Sequence, residues 1–236
     1  MPLILSIETA TDVCSVSLSE GAEILAIRED SEGRSHASLL TTFIHDVINE
    51  VGVESSSLDA IAVSKGPGSY TGLRIGVATC KGLCYEIDKP MISVGTLPAM
   101  VASRMLDHPT EKKIQVPMID ARRMEVYTAM YHPDLTVVKD VEALILDINS
   151  FSGSDKTEQG MVMFGDGMPK AQELFRDREN VDFDHVARPS AKGVAIIASQ
   201  RFENQEFEDI AYFEPYYLKD FVGTTPRIHV KPPENQ

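Results

Sequence analysis

Residues 58–86 read LDAIAVSKGPGSYTGLRIGVATCKGLCYE, a stretch that passes from strand through glycine-rich turn to helix without a break. Leu58 to Ser64 is a short apolar run with β-branched residues. Serines precede it and Lys65-Gly66-Pro67-Gly68 follows it, which is how a buried strand is punctuated. Gly66, Gly68 and Gly72 let the backbone bend where a side chain would clash, and Ser69 or Thr71 supplies a cap for the next helix. Such a turn presents free backbone N–H groups at a positive helix end, where anions bind. The spacing, G-x-G-x-x-x-G, is one residue longer than the dinucleotide fingerprint, and no G-K-[ST] supplies the lysine of a Walker loop. The stretch therefore fits neither standard phosphate loop.

The helix carries a column of small residues, Gly72, Gly76, Cys80 and Cys84, each four apart and so on one face. Interior glycines cost roughly 1 kcal/mol each relative to alanine, so a packing reason is expected. Two are open: close packing on the chain's own sheet, or a face that receives a helix from another subunit.

Working outward, Leu3 to Ile7, Cys14 to Leu18 and Glu23 to Arg28 read as a three-strand meander. From Ser38 to Val51 the apolar residues Leu39, Leu40, Phe43, Ile44, Val47, Ile48 and Val51 recur at three and four, the helical period, and Gly52 stops the run. After the focal strand and helix, Met91 to Val94 is a strand and Leu97 to Leu106 a helix, with Thr96 as its expected cap. A second set begins at Ile114. Ile114 to Ile119 and Glu125 to Met130 form a hairpin about Asp120-Ala121-Arg122-Arg123, and Leu135 to Val138 adds a third strand. Ser152 to Gly160 reads as a polar insertion, Met161 to Phe164 as a strand, and Pro169 to Arg176 and Ala191 to Phe202 as helices, the last capped by Ser190. The two sets echo each other in element order. Asp107 to Lys113, with Pro109 inside, divides an N-terminal lobe, 1–106, from an abbreviated C-terminal lobe, 107–236.

Composition bounds the function. With 43% hydrophobic and 25% charged residues the chain has the makings of a folded core. Its 22 basic and 36 acidic side chains give a net charge of −14, which argues against unaided binding to a nucleic-acid backbone. Cys14, Cys80 and Cys84 cannot all pair and read as buried thiols of a reducing compartment. No basic leader, and no uncharged apolar stretch of about 20 residues, is present, so a cytoplasmic protein without membrane contact is expected.

Lys65-Gly66-Pro67-Gly68-Ser69-Tyr70-Thr71-Gly72-Leu73-Arg74-Ile75-Gly76 closely resembles the signature of the TsaB (YeaZ) family of bacterial tRNA threonylcarbamoyladenosine biosynthesis proteins. Three further matches follow in the family's order: Ile4-Leu5-Ser6-Ile7-Glu8-Thr9-Ala10-Thr11, Asp120-Ala121-Arg122-Arg123-Met124-Glu125-Val126-Tyr127 and Pro215-Tyr216-Tyr217-Leu218-Lys219. The resemblance implies an α/β fold of two ribonuclease-H-like lobes, as in the actin, hexokinase and Hsp70 superfamily, and the echoing element order agrees. It also implies a non-catalytic subunit of the complex that forms N6-threonylcarbamoyladenosine at position 37 of ANN-decoding tRNAs. Chemistry would belong to the paralogue TsaD, with the ATPase TsaE completing the assembly. The chain alone would pair with itself, meet tRNA only through the complex, and hold no cofactor of its own, any ATP being bound mainly by its partners.

The residues bear on each rival reading. In that superfamily two strand turns, each with an acid and a glycine, hold nucleotide phosphates. Here the turns are Glu8-Thr9-Ala10-Thr11 and Asp120-Ala121-Arg122, and neither has the glycine. Ser6, Thr9, Thr11 and Asp120 remain as vestigial phosphate-loop candidates for a self-sufficient ATP-using enzyme, with Gly165-Asp166-Gly167 near an adenosine. TsaD carries two histidines one helical turn apart; the matching helix here has His36 and His45, nine apart, with Leu40 where the second ligand would stand. His108, His132, His185 and His229 are scattered, so a metallopeptidase lacks its ligands. What remains is surface: Leu39, Leu40, Phe43 and Val47 on one helix and Gly72, Leu73, Gly76 and Cys80 on its neighbour form the expected partner or dimer interface, each large side chain contributing about 1.5 to 3 kcal/mol if buried.

Overall fold

A computed structural model describes residues 1–32, 36–152 and 159–219. Three antiparallel strands open the chain, β1 (Leu3–Glu8), β2 (Cys14–Glu20) and β3 (Glu23–Asp30), and are followed by α1 (His36–Val51). The focal stretch forms β4 (Ala60–Gly66) and α2 (Tyr70–Ile87), then β5 (Met91–Gly95) and α3 (Thr96–Asp107). β1, β4 and β5 run parallel, so the first sheet has the order β3-β2-β1-β4-β5.

The same plan is repeated. β6 (Ile114–Asp120), β7 (Glu125–Tyr131) and β8 (Val137–Ile145) are antiparallel, while β9 (Met161–Phe164) and β10 (Val181–Asp184) add in parallel, giving the order β10-β9-β6-β7-β8. α4 (Met168–Phe175) lies between β9 and β10, and α5 (Ala191–Glu203) follows. The repeat is abbreviated: α4 has 8 residues where its counterpart α2 has 18. The described residues between β8 and β9 form turns where the first half has α1, and 153–158 of the expected insertion lie outside them.

Alternation explains the layers. Leu5, Ile7, Val16, Leu18, Ile61 and Val63 face α1 and α2, while Ile4, Ala60, Ala62, Ile92 and Val94 face the other way, onto Val194 and Ala198 of α5 and Ala99 of α3. Leu97, Met100 and Val101 of α3 also pack on Ile119, Ala129, Tyr131 and Phe164 of the second sheet. The order is therefore α1 and α2, first sheet, α5 and α3, second sheet, α4. α5 touches α3 backbone to backbone, because a Cβ on Gly193 would stand 1.8 Å from the Ala99 carbonyl oxygen. The expected boundary at 106/107 falls inside the last turn of α3, and in space each half lends its last helix to the other. Residues 207–216 also return to the first lobe, where Glu208 pairs with Met91 and the Tyr216 N–H donates to the Lys65 carbonyl at 2.7 Å.

Several local expectations are corrected. β8 starts later than Leu135 to Val138, because Leu135 has φ +69° and closes a turn back to the His132 carbonyl. Val181–Asp184, for which the sequence suggests no strand, forms β10, in which Asp184 accepts from Arg104 Nε at 2.8 Å while Asp182 stays exposed. α3 is capped by Gly95 without a side-chain bond, and the buried Thr96 hydroxyl has no partner among the described residues. Ser69 and Ser190 cap α2 and α5 as expected. The three cysteines are free and buried.

Candidate functional site

The two hairpin turns, β1–β2 and β6–β7, face each other across a cleft of about 820 Å³ at the carboxyl ends of the parallel strands. Ala10, Thr11 and Asp12 form one wall; Ile119 to Arg122, Tyr127 and Asp166 form the other. Gly68 to Thr71 floor it, and Tyr216 to Lys219 cross its mouth. Of the vestigial phosphate candidates, Thr11 and Asp120 line this cleft, whereas Ser6 and Thr9 are wholly buried behind the first turn.

The first turn is closed by the chain itself. Glu8 is wholly buried; its Oε1 accepts the Ala10 N–H at 2.6 Å and the Ser64 hydroxyl at 2.9 Å, while Oε2 has no partner among the described residues. Burial pushes its carboxyl up to about 7, against the opposing hydrogen bonds. The Ser69 N–H donates to the Ala10 carbonyl at 2.6 Å, and the Thr9 hydroxyl to the Gly72 carbonyl at 2.9 Å. A Cβ on Gly68 would stand 2.3 Å from the Ala10 oxygen, and one on Gly72 2.1 Å from the Thr9 oxygen. The glycines of the signature thus let the α2 entry seat on the β1–β2 turn. In the second turn the Asp120 N–H donates to Asp166 at 3.2 Å, the Arg122 N–H to Asp120 at 2.5 Å and the Ala121 N–H to the Glu125 carbonyl at 3.1 Å. The Ala10 amide of the first turn and the Asp120, Ala121 and Arg122 amides of the second are thus occupied by the protein's own oxygens.

Lys170 pairs with Asp120 at 2.8 Å, and Lys219 reaches across to Glu125 at 2.6 Å. Burial lifts the Asp166 carboxyl to about 6; the charges of Asp120 and Asp12 add to the rise and the Asp120 N–H opposes it. The Tyr70 and Tyr217 rings meet at 4.9 Å, with Arg74 bonded to the Tyr70 hydroxyl at 2.9 Å. The tyrosines at the mouth belong to the Pro215 to Lys219 match, but nothing in sequence spacing places that segment over the cleft.

The expected helix face divides differently from its prediction. Leu40, Val47, Leu73 and Cys80 lie in the chain's own core, together with Cys84. Gly76 is pressed on the Thr9 hydroxyl, 2.3 Å from where its Cβ would be, and Gly72 on the Thr9 carbonyl. Six of the eight residues therefore face inward, and only Leu39 and Phe43 are half-buried. The reason is that β1 and β4 need the small column of α2 against them. The outward side of α2 has a second small pair one turn apart, Ala78 and Gly82, with nothing within 4 Å of a Cβ on Gly82 and Tyr85 84% exposed beside it. On α1, the His36 ring nitrogen bonds the Thr11 carbonyl at 2.8 Å and His45 bonds Asn49. His229 lies outside the described residues. No helix among the described residues is long and apolar enough to cross a membrane.

Comparison with known proteins agrees with this architecture. A family model described as TsaD, tRNA N6-adenosine threonylcarbamoyltransferase, matches residues 24–227. The tRNA threonylcarbamoyladenosine biosynthesis protein TsaB of Escherichia coli K12 is 30% identical over 224 residues, covering 93% of this chain and 96% of that one. The tRNA N6-adenosine threonylcarbamoyltransferase of Staphylococcus carnosus is 25% identical over 201 residues, 78% of this chain and 57% of that protein. Among solved structures, YeaZ from Pseudomonas aeruginosa superposes with a TM-score of 0.79 at 26% identity, over 92% of this chain and all of that one. An activator of 2-hydroxyisocaproyl-CoA dehydratase from Clostridium difficile, with a TM-score of 0.51 at 8% identity over 86% of this chain and 97% of that one, shares the fold alone. The two-lobed fold, the glycine signature seated on the first turn and these matches together place the chain in the TsaD family, among its TsaB (YeaZ) members.

Proposed function

We propose that this protein is a non-catalytic subunit of tRNA threonylcarbamoyladenosine biosynthesis that braces a TsaD-like catalytic paralogue in the cytoplasm. The observation that carries the reading is the closure of both turns: the Ala10, Ala121 and Arg122 amides donate to Glu8, Glu125 and Asp120 and are not presented to a phosphate. The paired-histidine motif of TsaD is also broken here, since Leu40 is a core residue and His36 holds the Thr11 carbonyl. Reaction chemistry then falls to the partner, and the ATPase TsaE joins the same assembly.

Docking uses the outer side of the helix pair, Ala78, Gly82 and Tyr85 of α2 with the half-buried Leu39 and Phe43 of α1. Small residues let a partner helix approach closely, and the exposed tyrosine supplies an anchor. The same face pairs two copies when the paralogue is missing. Reconstitution tests the reading. Modified adenosine should form on tRNA only when this chain and the paralogue are both present, and this chain alone should give no heat on titration with ATP and magnesium. Saturable ATP binding weakened by Thr11→Val or Asp120→Asn would favour the self-sufficient enzyme instead.

A further inference from the structure

Each sheet has two outer strands, and three of the four are protected against pairing with further chain. β5 is covered where Glu208 pairs with Met91 and Arg201 donates to the Ser93 carbonyl at 2.5 Å. β10 has 4 residues and carries Asp182 and Asp184, while β3 carries Glu23, Arg28, Glu29 and Asp30. β8 is the exception. It is 9 residues long, its outer edge pairs with nothing among the described residues, and Val137, Val138 and Ile145 are 53%, 45% and 70% exposed. Register shifts around Met130 interrupt its first half, whereas Glu142 to Ile145 keep an unbroken ladder on β7.

The described chain leaves at that regular half. Lys219, its last residue, donates to Glu125 at 2.6 Å, and Glu125 stands opposite Ile145 in the β7–β8 register. A strand running back from there along β8 is antiparallel to it and continues the antiparallel order of β6, β7 and β8. In the sequence that follows, Phe221, Val222, Thr224, Thr225, Ile228 and Val230 are strand formers, and Pro226, which lacks an N–H, suits an outermost strand. The length fits as well: Asp220 to Val230 spans about 36 Å when extended, and β8 about 30 Å. Arg227 and Lys231 bring positive charge to the end of β8 where Asp134 and Asp140 stand.

We infer that Phe221 to Val230 docks along β8 as an added outer strand of the second sheet, with Phe221 to Thr225 on the regular half and Ile228 and Val230 at Val137 and Val138. The strap of Tyr216 to Lys219 over the cleft is then held at both ends, by the Tyr216 N–H on the Lys65 carbonyl and by the added strand. One chain supplies both halves of the contact, so the inference stands or falls independently of association with the paralogue.

The test is NMR on the isotope-labelled full chain. The outward amides of β8 should be protected from hydrogen exchange, and the double variant Phe221→Asp with Ile228→Asp should speed their exchange about tenfold or more while leaving the amides of β1 and β4 unchanged. A nitroxide on His229→Cys, the native cysteines being buried, should broaden the resonances of Val137 and Val138. When the nitroxide-bearing protein carries no isotope and is mixed with isotope-labelled wild type, those resonances should stay sharp, which separates the chain's own segment from that of a second copy. The inference is overturned if wild type and double variant exchange alike at β8, if the nitroxide leaves β8 of its own chain sharp, or if the mixture shows the same broadening.

Discussion

Glu8 ends β1 with its carboxylate turned into the protein, where it holds the Ala10 amide and so shapes the first wall of the cleft. Its folded-state affinity for a proton, raised from 4.5 to about 7, exceeds that of the unfolded chain. The stability it contributes is therefore fully present below about pH 4.5 and is lost as pH rises through about 7, an effect of roughly 3 kcal/mol. Urea unfolding between pH 5 and 8 should show this decline in the wild type. In Glu8→Gln the decline should shrink by that amount, and equal slopes in the two proteins would contradict the assignment. The sequence marks Glu8 as an acid at a strand end and nothing more; that it points inward follows from its partners Ala10 and Ser64, the latter 56 positions away.

α2 shows what periodicity can and cannot say. Spacing by four puts Gly72, Gly76, Cys80 and Cys84 on one face and makes that face a packing face, as found. Whether it packs on the chain's own sheet or on another molecule is decided by the first turn, which lies far off in sequence and drops the Thr9 carbonyl and hydroxyl onto the glycines. The two kinds of glycine on one helix give opposite predictions. Gly76→Ala, meeting the Thr9 hydroxyl, should cost about 1 to 3 kcal/mol through overpacking, while Gly82→Ala, open to solvent, should stabilise by about 0.5 to 1 kcal/mol. Thermal or urea unfolding of the two variants checks both signs. Gly76→Glu would break the fold and so says nothing of docking. Gly82→Glu and Ala78→Glu leave the core alone and should prevent association with the paralogue at unchanged melting temperature; native-like association by both would remove the outer face from consideration.

On the scale of the whole molecule, the duplication was readable in part, because each half reads as three strands followed further on by a strand and a helix, whereas β10, whose four residues carry two acids, was not. The exchange of α3 and α5 between the halves was not readable, since both helices carry apolar residues all round and give no direction. Arg104 closes that exchange: 5% exposed, it leaves α3 to bond Asp184 of β10 at 2.8 Å and Gln115 of β6 at 2.9 Å, with its guanidinium over the Phe164 ring. Burial would lift the Asp184 carboxyl, but amides from Val186 and Ala187 together with Arg104 hold it below the usual carboxylate range. Arg104→Met removes the cation and leaves the partly buried carboxylate without it. A loss of about 3 kcal/mol in unfolding free energy is expected, and a loss below about 0.5 kcal/mol would mean that the lobes are joined by helix packing alone.

The bracing role rests on association, and light scattering after size-exclusion chromatography measures it directly, with this chain alone and mixed with the TsaD paralogue from the same cell. The account predicts a homodimer that converts to a one-to-one heterodimer on mixing, and no conversion for Gly82→Glu. A monomer indifferent to the paralogue would contradict it.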